Sequence, residues 1–424
     1  MPYQDVKKNL IEPARNPYNA SGSAMSIVVN DGKVPAIVHT RFINEVIEEV
    51  KRSLRIGTPI KLFLVGEYGY GKTTLLNCIA EEFRNKQGIC VPIKFQEIVT
   101  PVAASSNPDR HFESVIGAIL TKMYNALVKE GLLTKQDAVI FDEIEYIDIY
   151  DGIFKMLERT HQHNILIAFD ELETLFGTLQ LKIGYILSFL HSLSEKIAAK
   201  PGWGLCVSVT EEYYSEIMSE ARQLTEARFN FKIIDQLLFS EVREYIEEKN
   251  SSVTLKTTDK IYPFDDEVIE FIATVSGGIP RYVETICQLL WAEAEPSYES
   301  VSIETARKIF SNSYRVYASA YFSELSSNFQ LSDESKAFLN LLFFSGGKRQ
   351  SIPELLVLRG SCPISYFDRL SDEKAKYRLE TASKELRSKS ELEYILEVFG
   401  KRPYRYTLTN SAFKDIFSFR ERIL

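Results

Sequence analysis

The sequence predicts an α/β fold in which a parallel β-sheet carries helices on both faces, followed by helices alone and then by three helices with a β-hairpin. Two observations predict the sheet. Short apolar runs with the length and β-branching of buried strands recur through the first half, and segments with the 3.6-residue period of helices separate them. The third observation is a change near residue 240, after which the apolar pattern is helical only.

The elements of the first half follow from these patterns in order. Arg41 to Arg55 has its apolar residues on one helical face, and the run Ile60 to Val65 (IKLFLV) is typical of a buried strand. Further helices are predicted at Lys72 to about Arg84, His111 to Glu130 and Leu179 to Ala199. Further strands are predicted at Gly88 to Phe95, Asn164 to Phe169, Trp203 to Val209 and Phe229 to Ile234. The acidic stretch from Leu133 to Ile149 receives no assignment.

The second half continues with helices. They are predicted at Ser240 to Lys249, Asp265 to Val275 and Pro280 to Ala294. A last unit begins near Leu331, with helices at Asp333 to Phe344, Ile352 to Leu358 and Asp372 to Lys389 and strands at Tyr394 to Phe399 and Tyr404 to Thr409. Three helices followed by a hairpin is the element order of a winged helix.

The length of the chain predicts several domains, because 424 residues exceed what a single hydrophobic core usually serves. We expect an extended N-terminal arm over 1–38, an α/β domain over 39–238, a helical lid domain over 239–328 and a winged-helix domain over 329–424.

Composition and charge exclude several classes of protein. The five cysteines are scattered without a CxxC pair, and the five histidines have no metal-ligand spacing, which argues against a disulfide framework and a zinc site. No apolar run reaches the roughly 18 residues of a membrane span, and the N-terminus has no signal-peptide core. We therefore expect a protein of the cytoplasm, or of the nucleus in a eukaryote, without a membrane partner.

The charge of the chain is unevenly distributed. The net charge is −8, yet the residues from Leu331 onward carry 17 Lys and Arg against 13 Asp and Glu, which leaves 33 against 45 for the rest. A basic end on an acidic body indicates an anionic partner at that end.

The strongest motif follows the first strand. It matches the pattern G-x-x-x-x-G-K-[ST], between a predicted buried strand and a predicted helix, as a phosphate-binding P-loop requires. Its residues are Gly66, Glu67, Tyr68, Gly69, Tyr70, Gly71, Lys72 and Thr73, with Thr74 next. Backbone N–H groups and the helix N-terminus attract phosphate oxygens, Lys72 reaches the β- and γ-phosphates, and the Thr73 hydroxyl holds Mg²⁺. The motif predicts binding of ATP with magnesium.

A second motif ends another strand. The run ILIAF leads directly into Asp170 and Glu171, and two carboxylates at the end of a buried strand are costly unless a cation lies nearby. With a P-loop upstream, that cation is Mg²⁺, held through Asp170, and Glu171 activates water as general base. Glu173 is interpreted as a solvated residue. A third strand ends at Thr210, where a polar side chain can lie beside the attacking water.

These residues resemble the AAA+ superfamily of P-loop NTPases, and within it the origin-recognition-like clade of initiators and helicase loaders. Gly66 to Thr73 is similar to the family's Walker A motif and Ile165 to Glu171 to its Walker B motif. Thr210 falls at the family's sensor 1 position. Tyr68 and Tyr70 depart from the pattern, since small or polar residues are usual there.

The resemblance extends to two arginines. Leu224 to Phe229 (LTEARF) looks like the segment of an arginine finger, so Arg228 would reach the γ-phosphate of a neighbouring subunit. Ser276 to Tyr282 (SGGIPRY) resembles the sensor 2 turn of the lid, which nominates Arg281 for the γ-phosphate of its own subunit. By resemblance, the chain would form a homo- or hetero-oligomer.

The C-terminal unit predicts a double-stranded DNA partner. The helix at 372–389 has a narrow apolar stripe and six basic residues, and the hairpin segment 399–405 adds more. The basic residues of the helix are Lys374, Lys376, Arg378, Lys384, Arg387 and Lys389, and those of the hairpin are Lys401, Arg402 and Arg405, with Tyr404 beside them. A helix in the major groove and a basic wing on the phosphates would use such residues.

Three functions remain open at this point. The first is an ATP-switched DNA-binding factor, either an initiator or loader acting in DNA replication or a related mobile-element or defence ATPase. The second is a signalling NTPase of the STAND type, whose winged helix contacts protein instead of DNA. The third is a metabolic nucleotide kinase, against which the lid and the winged helix argue.

Overall fold

The computed structural model describes residues 40–104, 110–134, 163–226, 229–251, 263–294, 300–345, 349–359, 370–399, 404–409 and 412–417. They form two compact units, one that ends at Asp235 and one that begins at Gln236. The stretch 133–149, the hairpin residues Lys401 and Arg402, and Arg228 lie wholly or almost wholly outside the described residues.

The first unit is a five-stranded parallel sheet covered by helices. Its strands are β1 (Ile60–Val65), β2 (Ile89–Lys94), β3 (Ile165–Asp170), β4 (Gly204–Val209) and β5 (Asn230–Ile233). Its helices are α1 (Arg41–Ile56), α2 (Lys72–Asn85), α3 (Phe95–Ala103), α4 (His111–Lys129), α5 (Glu173–Leu179), α6 (Ile183–Ala198) and α7 (Glu211–Glu226). The strand order is β2-β3-β4-β1-β5 and every neighbouring pair is parallel, which confirms the predicted sheet.

Alternation along the strands divides the core between the two faces of the sheet. In β4, Leu205 and Val207 belong to the apolar cluster shared with α4 and α6, whereas Cys206 belongs to the cluster shared with α1 and α2. Successive side chains of a strand point to opposite faces, so Ser208 and Thr210 lie on the α2 side with Cys206. By the same rule Asp170 lies on the α2 side of β3, with Leu166 and Ala168.

The helices of the first unit differ from the prediction in two ways. The predicted helix from Leu179 to Ala199 begins only at Ile183, as α6, because Gln180 takes a left-handed φ of 52° and ends the preceding helix α5. Helices α3, α5 and α7 were not predicted. Helix α3 contains Pro101 in its interior, which normally disfavours a helix, but its residues Phe95, Ile98 and Val99 are buried against the sheet. Burial outweighs the local preference here.

The second unit contains helices followed by a small sheet. Its helices are α8 (Phe239–Ser251), α9 (Asp266–Ser276), α10 (Pro280–Ala294), α11 (Ile303–Phe329), α12 (Asp333–Phe344), α13 (Ile352–Arg359) and α14 (Asp372–Arg387). Its strands are β6 (Gln350–Ser351), β7 (Leu396–Phe399) and β8 (Arg405–Leu408), antiparallel in the order β6-β8-β7. Three helices with this hairpin have the order of a winged helix, as predicted.

Helix α11 was not predicted, although it spans 27 residues. Ser302 caps its N-terminus by accepting a hydrogen bond from the Thr305 N–H group, and Phe310 lies in its buried face. The Phe310 ring contacts the rings of Phe343 in α12 and of Phe413 in the helical segment 412–417. This aromatic cluster joins the helical and winged-helix parts of the second unit.

The described cysteines behave as small core residues, as the sequence predicted. Cys78, Cys90, Cys206 and Cys287 are buried. Burial raises the pKa of the Cys78 and Cys90 thiols to about 12, so both stay protonated at neutral pH. In the part of the chain that the structure describes, no helix combines the length and apolarity needed to cross a bilayer.

Candidate functional site

The loop between β1 and α2 depends on its glycines. Gly69 and Gly71 have φ angles of 84° and 95°, which side chains with a Cβ rarely adopt. At Gly66 the reason is a close approach, because a Cβ atom there would lie 2.8 Å from the backbone oxygen of Ile234. The loop therefore brings backbone N–H groups and the N-terminus of α2 to the carboxyl end of the sheet, where such groups bind anions.

Lys72 is the first residue of α2 and lies folded into this loop. Its Nζ donates hydrogen bonds to the backbone oxygens of Gly66 and Glu67, over 2.6 and 3.2 Å, and the side chain is buried. Burial lowers the pKa of Lys72, while the carboxylates of Glu173 and Asp170 favour its charged form. Phosphate oxygens can replace the two carbonyl oxygens, and their negative charge would favour the charged form of Lys72.

Thr73 and Asp170 meet although 97 positions separate them in the chain. The Thr73 Oγ1 donates to Asp170 Oδ2 over 2.8 Å, and Asp170 is buried. A hydroxyl and a carboxylate oxygen at this separation are the kind of hard ligands that Mg²⁺ accepts. The residues present therefore fit a magnesium ion, with Thr73 and Asp170 as its protein ligands.

Glu171 follows Asp170 in an uncommon backbone conformation. Its φ angle is 62°, in the left-handed region that residues with a side chain rarely occupy. The side chain is half-buried. Burial raises the pKa of Glu171, and the neighbouring charge of Asp170 adds to this, whereas Lys94 and Lys72 oppose it. A raised pKa favours a carboxylate that accepts a proton.

The interpretation of Glu173 as a solvated residue was wrong. Its Oε2 atom is buried and has no hydrogen-bond partner among the described residues. Burial raises the pKa of Glu173 to about 6, against the opposing effect of Lys72. Sequence reasoning missed this residue because Lys72, the cation near it, belongs to α2 and lies far away in the chain.

Ser208 was also missed, although it contacts Asp170 directly. Its hydroxyl donates to Asp170 Oδ1 over 2.6 Å. Thr210, the predicted polar residue of this strand, is half-buried two positions later on the same side of β4, and its carbonyl accepts the N–H of Tyr214. For Ser208, the signal available in the sequence was a polar residue inside the apolar run LCVSV. The role of Thr210 beside the attacking water stays a prediction.

The two aromatic residues of the loop have different surroundings. Tyr68 is 51% exposed, whereas Tyr70 packs against the core cluster of α1 and α2. Burial raises the pKa of the Tyr70 hydroxyl, and Glu67 and Asp235 add to the shift. The larger residue at position 70 is therefore accommodated by packing against this cluster.

Arg281 lies in the second unit, in the first turn of α10. The turn before it needs glycine at Gly278, whose φ is 71° and whose added Cβ would overlap the backbone oxygen of Leu237. One turn later, Glu284 accepts hydrogen bonds from Tyr245 and Lys249 of α8, each over 2.7 Å. These contacts fix α10 against α8. The roles of Arg281 and of Arg228 toward a γ-phosphate stay predictions.

The basic residues of α14, with Lys389 just after it, fall into two groups. Arg378 pairs with Glu334, Arg387 lies over the Tyr404 ring at 4.4 Å, and Lys389 donates to the Phe329 carbonyl over 2.5 Å. The others, Lys374, Lys376 and Lys384, are exposed and form no ion pair within the part of the chain that the structure describes. Three of the six predicted DNA contacts are thus tied to the protein itself, and the exposed lysines form the open part of this surface.

Several solved structures are similar to this chain. Cdc6p from Pyrobaculum aerophilum aligns over 94% of this chain and 98% of its own, with 13% identity and a TM-score of 0.50. The Orc2 protein of Aeropyrum pernix, in its ADPNP–ADP complexes, aligns over 93% and 98% with 14% identity and a TM-score of 0.47. The Orc1 protein of the same organism, in complex with DNA, aligns over 92% and 96% with 14% identity and a TM-score of 0.44.

The likeness to Cdc6p confirms the predicted fold, an α/β domain followed by helices and a C-terminal domain. At 13% identity it shows the fold alone. No family model and no curated protein sequence matches the chain.

Proposed function

We propose that this chain is an ATPase of the AAA+ type that uses ATP and Mg²⁺ to drive a conformational switch, and that it binds double-stranded DNA through its winged helix. The observation that carries the nucleotide part is the 2.8 Å hydrogen bond between Thr73 and Asp170, beside a P-loop into which Lys72 is folded. A P-loop hydroxyl and a carboxylate from β3, which β4 separates from β1, meet at one point, as a shared magnesium ion requires.

Each residue of the site has a separate role in ATP hydrolysis. Bound Mg²⁺ would neutralise charge on the phosphates and polarise the terminal phosphoryl group. The loop amides and Lys72 hold the phosphates, and Thr73 and Asp170 orient the metal. Glu171 accepts the proton of the attacking water, for which its raised pKa suits it. Arg281 and, from a neighbouring subunit, Arg228 would contact the γ-phosphate.

The DNA part of the proposal rests on the second unit. The exposed lysines of α14 and the exposed Arg405 of β8 lie on a winged-helix scaffold, in a part of the chain with a net positive charge. Phosphates attract such residues irrespective of base sequence. Within this proposal, ATP binding changes the affinity for DNA and hydrolysis returns the protein to its starting state, as in an initiator, a loader or a related mobile-element or defence ATPase.

The nucleotide proposal is tested by the Lys72→Ala variant. We expect it to lose ATP binding, because no other ammonium group lies in the P-loop, with Lys86→Ala as a control that removes an exposed lysine from the end of α2. The measurement is titration with a fluorescent ATP analogue in the presence of Mg²⁺. Wild-type affinity in Lys72→Ala would contradict the assignment of the phosphate site.

A further inference from the structure

Ser208 is a polar residue in a strand whose six residues are all buried. Its side chain is 0% exposed. A hydroxyl group at such a place is costly unless it is fully hydrogen-bonded. The Ser208 hydroxyl makes two hydrogen bonds, one donated to Asp170 Oδ1 over 2.6 Å and one accepted from the Glu171 N–H over 2.9 Å.

Ser208 continues the contact between two strands beyond their last paired residues. The register of β3 and β4 ends at Phe169 opposite Val207. Immediately after that pair, the hydroxyl of Ser208 binds Asp170 and Glu171, and its carbonyl accepts the N–H of Leu172 over 3.1 Å. Three consecutive residues at the end of β3 are therefore tied to one residue of β4.

These bonds act on both carboxylates of the candidate site. The bond to Asp170 Oδ1 leaves Oδ2 facing Thr73, and so it sets the rotation of the carboxylate. The bond from the Glu171 N–H holds a backbone whose φ of 62° is unfavourable for a residue with a side chain. That backbone conformation determines the direction in which the Glu171 side chain points.

We propose that Ser208 is a positioning residue of the ATPase site, which orients Asp170 for the metal and Glu171 for the attacking water. This role rests on the proposed function. It is distinct from the role predicted for Thr210, because Ser208 binds the Asp170 carboxylate and the Glu171 backbone N–H and is fully shielded from solvent.

The test compares Ser208→Ala with Ser194→Ala. Ser194 is an equally buried serine of the same unit, but its hydroxyl donates to the His191 carbonyl within α6. In nucleotide-free protein we expect faster hydrogen–deuterium exchange at the Glu171 amide in Ser208→Ala only, measured on peptides that span 170–173. We expect the hydrolysis rate at saturating MgATP to fall by about 10–100-fold in Ser208→Ala. Affinity for ATP without Mg²⁺ should stay within about twofold, since Lys72 and the loop provide it.

The outcomes separate this inference from the proposed function. Unchanged exchange at Glu171 in Ser208→Ala, or hydrolysis within about twofold of wild type, would overturn the positioning role alone. Absence of MgATP hydrolysis by the wild-type protein would overturn the proposed function and this role with it. If Ser208→Ala does not fold, Ser208→Cys, which keeps a weak hydrogen-bonding group, is measured in the same way and should show the same changes to a smaller extent.

Discussion

Burial sets the protonation behaviour of single residues in the candidate site. It lowers the pKa of Lys72 and raises the pKa of both Glu171 and Glu173. All three shifts have one cause, since removal from water disfavours the charged form of either sign. A bound polyphosphate with its metal would supply the missing counter-charges. In the free protein, these three residues therefore lower the free energy of unfolding, and bound nucleotide with its metal would offset that cost.

Glu173 gives a pH-dependent prediction at this scale. Its pKa is raised from 4.5 to about 6, so the folded protein holds its proton more tightly than the unfolded chain. Above about pH 6 the folded state must carry a buried charge, at a cost of about 2 kcal/mol, whereas below about pH 4.5 both states are protonated and the cost disappears. Replacing Glu173 by Gln should thus raise the free energy of unfolding at about pH 8 and leave it unchanged at about pH 4.

The measurement is chemical denaturation over that pH range without nucleotide or Mg²⁺. Glu212→Gln is the matched control, because Glu212 is exposed at the start of α7 and no such pH dependence is expected there. A stability difference between wild type and Glu173→Gln that does not change with pH would contradict the buried-acid assignment.

At the scale of elements, α11 organises the second unit. Phe310 is 1% exposed and contacts the rings of Phe343, Phe413 and Phe417, so one side chain links three helical segments. Phe310→Ala should lower the free energy of unfolding of this unit by about 3–5 kcal/mol, because it leaves a large cavity. Val316→Ala on the same helix removes a side chain that is 67% exposed and should change stability by less than about 0.5 kcal/mol. Equal effects of the two changes in urea denaturation would show that α11 is not a core element.

The elements also show how far the sequence predicts the structure. All five strands of the first unit were predicted to within about two residues, because four are mostly apolar runs and β5 (NFKI) alternates polar and apolar residues. Helix α11 was not predicted, because serine and asparagine interrupt its apolar pattern. Its buried residue Phe310 contacts Phe343, which lies more than 30 residues away in the chain. The P-loop and Asp170 were predictable from a local motif. Ser208 and the buried state of Glu173 were not, because their contacts come from other elements.

At the scale of the whole molecule, charge distribution predicts where DNA binds. The variant in which Lys374, Lys376 and Lys384 are all replaced by Gln should bind duplex DNA more weakly. The slope of log affinity against log salt should fall by about 0.9 for each lysine that contacts a phosphate. A control with the same charge change replaces the exposed Lys86, Lys129 and Lys196 of the first unit by Gln.

The binding assay is fluorescence anisotropy over a range of salt concentrations, with and without ATP. We expect the control variant to match wild type, and we expect ATP to change the wild-type affinity. Undiminished DNA binding by the α14 variant would instead favour a winged helix that contacts protein, as in the STAND-type alternative.

The central claim is that Thr73 and Asp170 hold one magnesium ion beside the P-loop. The most direct test measures the affinity for ATP with and without Mg²⁺ in wild type and in Asp170→Asn, with Glu212→Gln as a control. We expect Mg²⁺ to strengthen ATP binding in wild type and in the control but not in Asp170→Asn, whose affinity without Mg²⁺ should stay close to that of wild type. Equal strengthening by Mg²⁺ in Asp170→Asn and in wild type would contradict a magnesium site at Thr73 and Asp170.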